Sequence, residues 1–198
     1  MSKTLISLCF AILLAYSAPV FAQEVDQPQT LFTNVHVFDG VNEQRIENAN
    51  VLVEGNLIKT ISTDAISADG ATVIDGGGRT LMPGLADTHV HLAFSTLPVI
   101  EVLTGDPGYN FIHATKDAEA MLMRGITVVR DMGGNVFGLK KAIDKGLVPG
   151  PRIYPSGGTL SQTAGHFDFR FPNQQHHRFG GSLPSVYLQG QGFLVDGV

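Results

Sequence analysis

The sequence predicts an α/β chain in two parts, a run of small strands followed by parallel strands joined by crossover helices. Three observations predict it. Residues 31–82 alternate apolar and polar positions between tight turn signals and show no helical period. After Pro83-Gly84 the rhythm becomes strand, helix, strand, helix, strand with short links, which is the pattern of a parallel sheet. With 43% hydrophobic and 16% charged residues, the 198-residue chain has a globular composition rather than a disordered one.

The first 22 residues read as a secretory signal peptide: Lys3, an apolar run from about Leu5 to Tyr16, then Val20 and Ala22 in the small-residue pattern of a cleavage site. The apolar run is short of the ~20 residues that a membrane span needs. The chain is therefore expected to be exported, periplasmic or secreted, with no stable membrane span after cleavage. Cleavage removes the single cysteine, Cys9, so disulfides and thiolate metal sites are excluded from the mature chain. Any metal must be held by His and carboxylates. The formal net charge of −5 and the lack of a basic run argue against nucleic acid as a partner.

Residues 23–82 are expected to form a small β-subdomain and 83–198 an α/β part. Residues 23–30 are polar and linker-like. "TLFTNVHVFDG" alternates and ends at the turn pair Asp39-Gly40, so it is a strand. "NANVLVEGNLIKTIS" reads as a hairpin of strands 49–54 and 57–62 around Gly55-Asn56, and "ATVIDGGGRTLMPG" as two short strands around Gly76, Gly77 and Gly78. "GLADTHVHLAF" opens the second part with a strand of about seven residues. Phe111, Ala114, Ala118, Met121 and Leu122 recur at helical spacing, with Gly125 as the stop. "ITVVRDMGG" is a buried strand, "VFGLKKAIDKG" a short helix with Val136, Leu139, Ala142 and Ile143 inward, and "PRIYPSGG" a third strand. Residues 158–198 carry no rhythm and read as one long loop, with "GFLVDGV" leading toward a further helix.

The chemistry concentrates in "LMPGLADTHVHL", residues 81–92. Alternation in a strand has a period of two, so His89 and His91 point the same way and can converge on one ion. The spacing is weak by itself, and two packed or exposed histidines are the alternative. The place strengthens it, because parallel α/β folds bind ligands at the carboxyl ends of their strands. Asp87 shares the face and has three readings: a direct ligand, an acceptor that orients an imidazole, or a carboxylate on a backbone donor. Adjacent His176 and His177 point opposite ways in extended chain and make a poor chelate. His36 and His113 read as ordinary. Arg130-Asp131 at the end of the second strand reads as a structural ion pair rather than as catalysis. "DMGGNVFG" lacks the spacing of a phosphate-binding loop.

"PGLADTHVH", preceded by "DGGGRTLM" and followed by "GITVVRDMGG" and "PRIYPSGGTLSQTAGHFD", resembles the amidohydrolase superfamily, most closely its imidazolonepropionase-like and prolidase-like subgroup. The resemblance covers nearly all of residues 30–198. It implies the N-terminal portion of a TIM (β/α)8 barrel beside a small β-sandwich, and one or two divalent metals, usually zinc. It implies hydrolysis of an amide or related C–N bond, with a small molecule or dipeptide as substrate. By it His89 and His91 are ligands of the more buried metal, and His166, in "TAGHFD", faces the active site and touches substrate, a solvated loop histidine being the alternative. The family's bridging lysine, its two later histidines and its aspartate base come from strands four to eight, and this chain shows about three barrel strands. Residues 84–198 fall well short of the ~250 of a complete barrel. The expectation is an exported, prolidase-like dipeptidase present in truncated form and lacking the full catalytic set. Beside it stand a fragment or pseudo-enzyme that binds metal weakly, and an exported binding module; the absence of tryptophan and the presence of only 4 tyrosines weigh against the module.

Overall fold

The computed structural model describes residues 27–197, so the predicted signal segment lies outside the described residues. The chain divides into two units between Met82 and Pro83. In the first unit β1 (Gln29–Val37), β2 (Ile46–Glu54), β3 (Leu57–Ser62) and β4 (Thr72–Leu81) form one sheet in the order β3-β2-β1-β4. The expected hairpin is present: β2 and β3 pair antiparallel across Gly55-Asn56. Val35, Val37, Ala49 and Val51 are the buried centre, with Phe32, Val53 and Leu81 packed against them.

Residues 72–81 correct one expectation. They form a single strand, parallel to β1, and not two short ones. The three glycines do not end the strand; they absorb a bulge. Thr33 faces Asp75 and Val35 faces Arg79, so β4 carries two extra residues there. Gly77 and Gly78 take them up at φ +57° and +75°, which side-chain-bearing residues rarely adopt.

The second unit alternates strand and helix as expected: β5 (Leu85–Val90), α1 (Val99–Thr104), α2 (Pro107–Met123), β6 (Ile126–Asp131), α3 (Phe137–Asp144) and β7 (Arg152–Pro155). β5, β6 and β7 are parallel neighbours in that order, three strands of a (β/α)8 barrel that is incomplete within this chain. Helix α2 starts where its sequence directs. Asp106 accepts the Tyr109 N–H at 3.0 Å and Pro107 takes the first helical position. Ala114 and Ala118 bring its inner face onto a core of Leu92, Val129, Val136 and Ile153. Among the described residues no helix is long and apolar enough to cross a membrane.

Helix α1 has no signature in the sequence. Its six residues, "VIEVLT", are apolar on several sides and too few to show a period. The expectation of one unbroken loop over 158–198 is also corrected. β8 (Thr159–Ser161) pairs in parallel with β9 (Gly192–Leu194), a 3-10 turn spans His177–Phe179, and a one-turn helix, α4, spans Ser185–Leu188. "GFL" forms strand β9.

A local ion pair lies within the segment between β8 and α4. The side chains of Asp168 and Arg170 are 6% and 13% exposed, and Arg170 Nε donates to Asp168 Oδ1 at 2.8 Å. The Arg170 hydrogen bonds, with the Ala164 N–H at 2.8 Å, hold the Asp168 carboxyl down at about 2 against the opposing effect of burial. A carboxyl depressed in the folded state adds stability above its ordinary value of 3.8, and that stability disappears as pH falls toward about 2. Asp168→Asn is therefore expected to lose roughly 1–2 kcal/mol at pH 7 and almost nothing relative to wild type at pH 2. Urea denaturation at the two pH values measures the difference; an equal deficit at both would contradict the ion-pair account.

Candidate functional site

Strand β5 delivers the two histidines to the carboxyl end of the parallel sheet. It spans six residues, against the about seven expected, and ends at Val90, directly before His91. It also carries a bulge: Asp87 faces Val129 and Val90 faces Asp131, so three steps on β5 match two on β6. A bulge breaks strict alternation and re-aims the side chains beside it. Here it releases the His89 N–H, which donates to Asp87 Oδ1 at 3.1 Å. The His89 and His91 rings then lie edge to face with centroids 5.3 Å apart, and both line one cavity of about 320 Å³ with Asp87, Thr96, Asp117 and Arg124.

His91 is the better anchored of the pair. It is half-buried, stacks on Phe94 with centroids 5.1 Å apart, and its Nδ1 lies 3.0 Å from the Gly133 carbonyl oxygen. A carbonyl only accepts, so Nδ1 is the donor in this bond, and in the neutral ring Nε2 is then the nitrogen with the free lone pair. An imidazole whose other nitrogen is tied to a carbonyl is the arrangement that metal-binding histidines use. The residues therefore fit two of the ligands of a divalent ion. Among the described residues no group of three His, Cys, Asp or Glu side chains gathers at metal-binding distance.

Of the other sequence candidates, Asp87 meets the backbone rather than a ring, and the acceptor behind His91 is the Gly133 carbonyl in its place. His166 is exposed and shares with His91 a second, apolar cavity of about 160 Å³, walled by Phe94, Val102, Phe167 and Phe169. It does not line the cavity that holds His89. His113 approaches Asp117 at 3.4 Å, and Asp117 also accepts the Thr96 hydroxyl.

Two expectations fail. His176 and His177 do not point apart: the 3-10 turn brings their rings into a stack at 4.3 Å. His176 is buried, and its Nδ1 accepts the Arg178 N–H at 3.1 Å. Burial, then the neighbouring His177 charge, lowers its pKa. Arg130 and Asp131 form no ion pair, because successive strand residues face opposite ways. Arg130 is exposed and donates weakly to the Tyr154 carbonyl, whereas Asp131 is 0% exposed. Asp131 Oδ2 accepts the Leu92 N–H at 2.8 Å and Oδ1 accepts the Gly133 N–H at 3.2 Å. Burial pushes this carboxyl up, and the two amides oppose the push. Asp131 and Gly133 are the site residues that sequence reasoning passed over. The available signal was an aspartate closing the second parallel strand directly before a Gly-Gly turn.

The amidohydrolase family model matches residues 80–182, just over half of the chain. The ochratoxinase of Aspergillus niger is 36% identical over 91 residues, 44% of this chain and 19% of that protein. A prolidase solved with N-methylphosphonate-L-proline superposes with a TM-score of 0.73 at 34% identity, covering 85% of this chain and 41% of its own. A Xaa-Pro dipeptidase with methionine bound in its active site gives 0.64 at 28% identity, covering 75% and 39%. The chain thus spans about a fifth to two fifths of the length of these three proteins. Its parallel strands, its paired histidines at their carboxyl ends and these likenesses agree: the chain belongs to the amidohydrolase family.

Proposed function

We propose that this chain forms the histidine-bearing part of an exported, zinc-dependent amidohydrolase that cleaves the C–N bond of a dipeptide. One observation carries the metal assignment: His91, with Nδ1 fixed on the Gly133 carbonyl, shares a cavity with the His89 ring 5.3 Å away. His89 and His91 would hold a divalent ion there, which would supply Lewis-acid chemistry, activating water and polarising a carbonyl. Everything else asked of the chain is positioning. His89 and His91 both line one cavity. His166 borders the adjoining apolar cavity, where it is placed to contact the substrate. The choice of dipeptide rests on the likeness to the prolidase at 34% identity. Export rests on the signal-like residues 1–22.

Catalytic zinc takes three protein ligands and an open position, and the described residues offer an imidazole pair. The 198-residue chain alone is therefore expected to bind zinc without releasing proline from an alanyl-proline substrate. Zinc titration against a chromophoric chelator, with a proline-release assay in parallel, tests both halves. A chain that shows no zinc binding dependent on His89 and His91 would sink the metal assignment, and zinc-dependent proline release would show that these residues suffice for turnover.

A further inference from the structure

We infer that Asp131 is a positioning residue for His91, acting through the Gly133 carbonyl. The inference rests on reading His91 as a ligand, and it adds a residue 40 positions away that sets which ring nitrogen is free. The Asp131 carboxylate joins two turns. Oδ2 takes the Leu92 N–H at 2.8 Å, which fixes the residue directly after His91. Oδ1 takes the Gly133 N–H at 3.2 Å, which turns the Met132-Gly133 peptides back over the strand ends. The Met132 N–H donates to the Val90 carbonyl at 2.9 Å and holds the same turn from the β5 side. The Gly133 carbonyl is thereby presented to His91 Nδ1 at 3.0 Å. The approach is close: a Cβ at Gly133 would stand 3.0 Å from Thr159 Cγ2 and 3.3 Å from His91 Cε1, so these side chains would have to give way by a few tenths of an ångström.

A carboxylate has two acceptor oxygens and a carboxamide one. Asp131→Asn keeps the shape but sets an NH2 group against one of the two backbone N–H donors. That opposition releases either Leu92 or Gly133, and His91 loses its fixed acceptor. A purely structural aspartate would affect stability and leave the ring's proton where it was.

The test is a long-range 1H–15N correlation spectrum of the metal-free, 15N-labelled 198-residue chain, with His91 identified by the signals lost in His91→Gln. Wild type is expected to show His91 protonated on Nδ1 alone. Folded Asp131→Asn is expected to show His91 exchanging between tautomers, an unchanged His89 pattern, and zinc affinity lower by about 10- to 100-fold. Wild-type His91 protonated on Nε2 overturns the inference, whether or not the variant folds. So does a folded variant with the wild-type tautomer and zinc affinity within threefold of wild type. Absence of zinc binding by wild type would instead remove the metal reading, and the tautomer spectrum would still decide whether Asp131 orients the ring.

Discussion

His91→Ala is expected to lower the zinc affinity of the chain by about 100-fold. Structural zinc sites with four ligands are worth roughly 10–16 kcal/mol, so one ligand contributes about 3 kcal/mol, or two powers of ten. The full value applies to His91 because its ring is already held in place. It stacks on Phe94 at 5.1 Å and donates Nδ1–H to the Gly133 carbonyl, so little ordering remains to oppose binding. The exposed ring of His89 has no such bond among the described residues, and His89→Ala is expected to cause a smaller loss. His166→Ala should leave the affinity within threefold of wild type, because His166 does not line the cavity that holds the pair. Titration against a chromophoric chelator at fixed pH measures all three variants. Should His91→Ala bind zinc as wild type does, the pair is not a metal site and the hydrolase reading loses its chemical support.

What the sequence makes legible here is what local periodicity encodes. The hairpin at Gly55-Asn56, helix α2 with its Asp106 cap, and the strand that carries His89 and His91 all lie in stretches where one period runs long enough to be seen. The illegible parts depend on partners far along the chain. β8 and β9 are three residues each, and what makes them strands is their pairing across about 30 intervening residues. The bulge in β5 is a mismatch between Asp87–Val90 and Val129–Asp131, and neither segment shows it alone. Asp131 was misassigned for the same reason. Its sequence neighbour Arg130 offers an obvious charge partner, yet its actual partners are backbone N–H groups, which every residue but proline carries and which leave no mark in a sequence. The His89–His91 spacing was visible, but the feature that favours metal binding is the tie from Nδ1 to a carbonyl 42 residues away.

Leu92→Ala is expected to destabilise the second unit by about 3 kcal/mol while leaving zinc affinity nearly unchanged. Leu92 is 0% exposed and sits in one apolar core with Ala114 and Ala118 of α2, Val129 of β6 and Ile153 of β7. Removing a buried leucine side chain forfeits its transfer energy and leaves a cavity, together about 2–5 kcal/mol. The value belongs in the middle of that range: the two alanines are too short to fill the space, whereas nearby Ile143 and Met121 are only partly buried and can shift. Domains are stable by roughly 5–15 kcal/mol in total, so a loss of this size should move the urea midpoint well clear of error. The metal pair should be spared because the bond that places the histidine turn uses the Leu92 backbone N–H, 2.8 Å from Asp131, and alanine retains it. Leu92→Ala and His91→Ala thus differ in what they do to zinc binding, the first losing stability and keeping affinity, the second losing affinity. Equal loss of zinc affinity in both, measured under conditions where each is folded, would mean that packing beneath the turn, and not the hydrogen bonds above it, holds His91 in place.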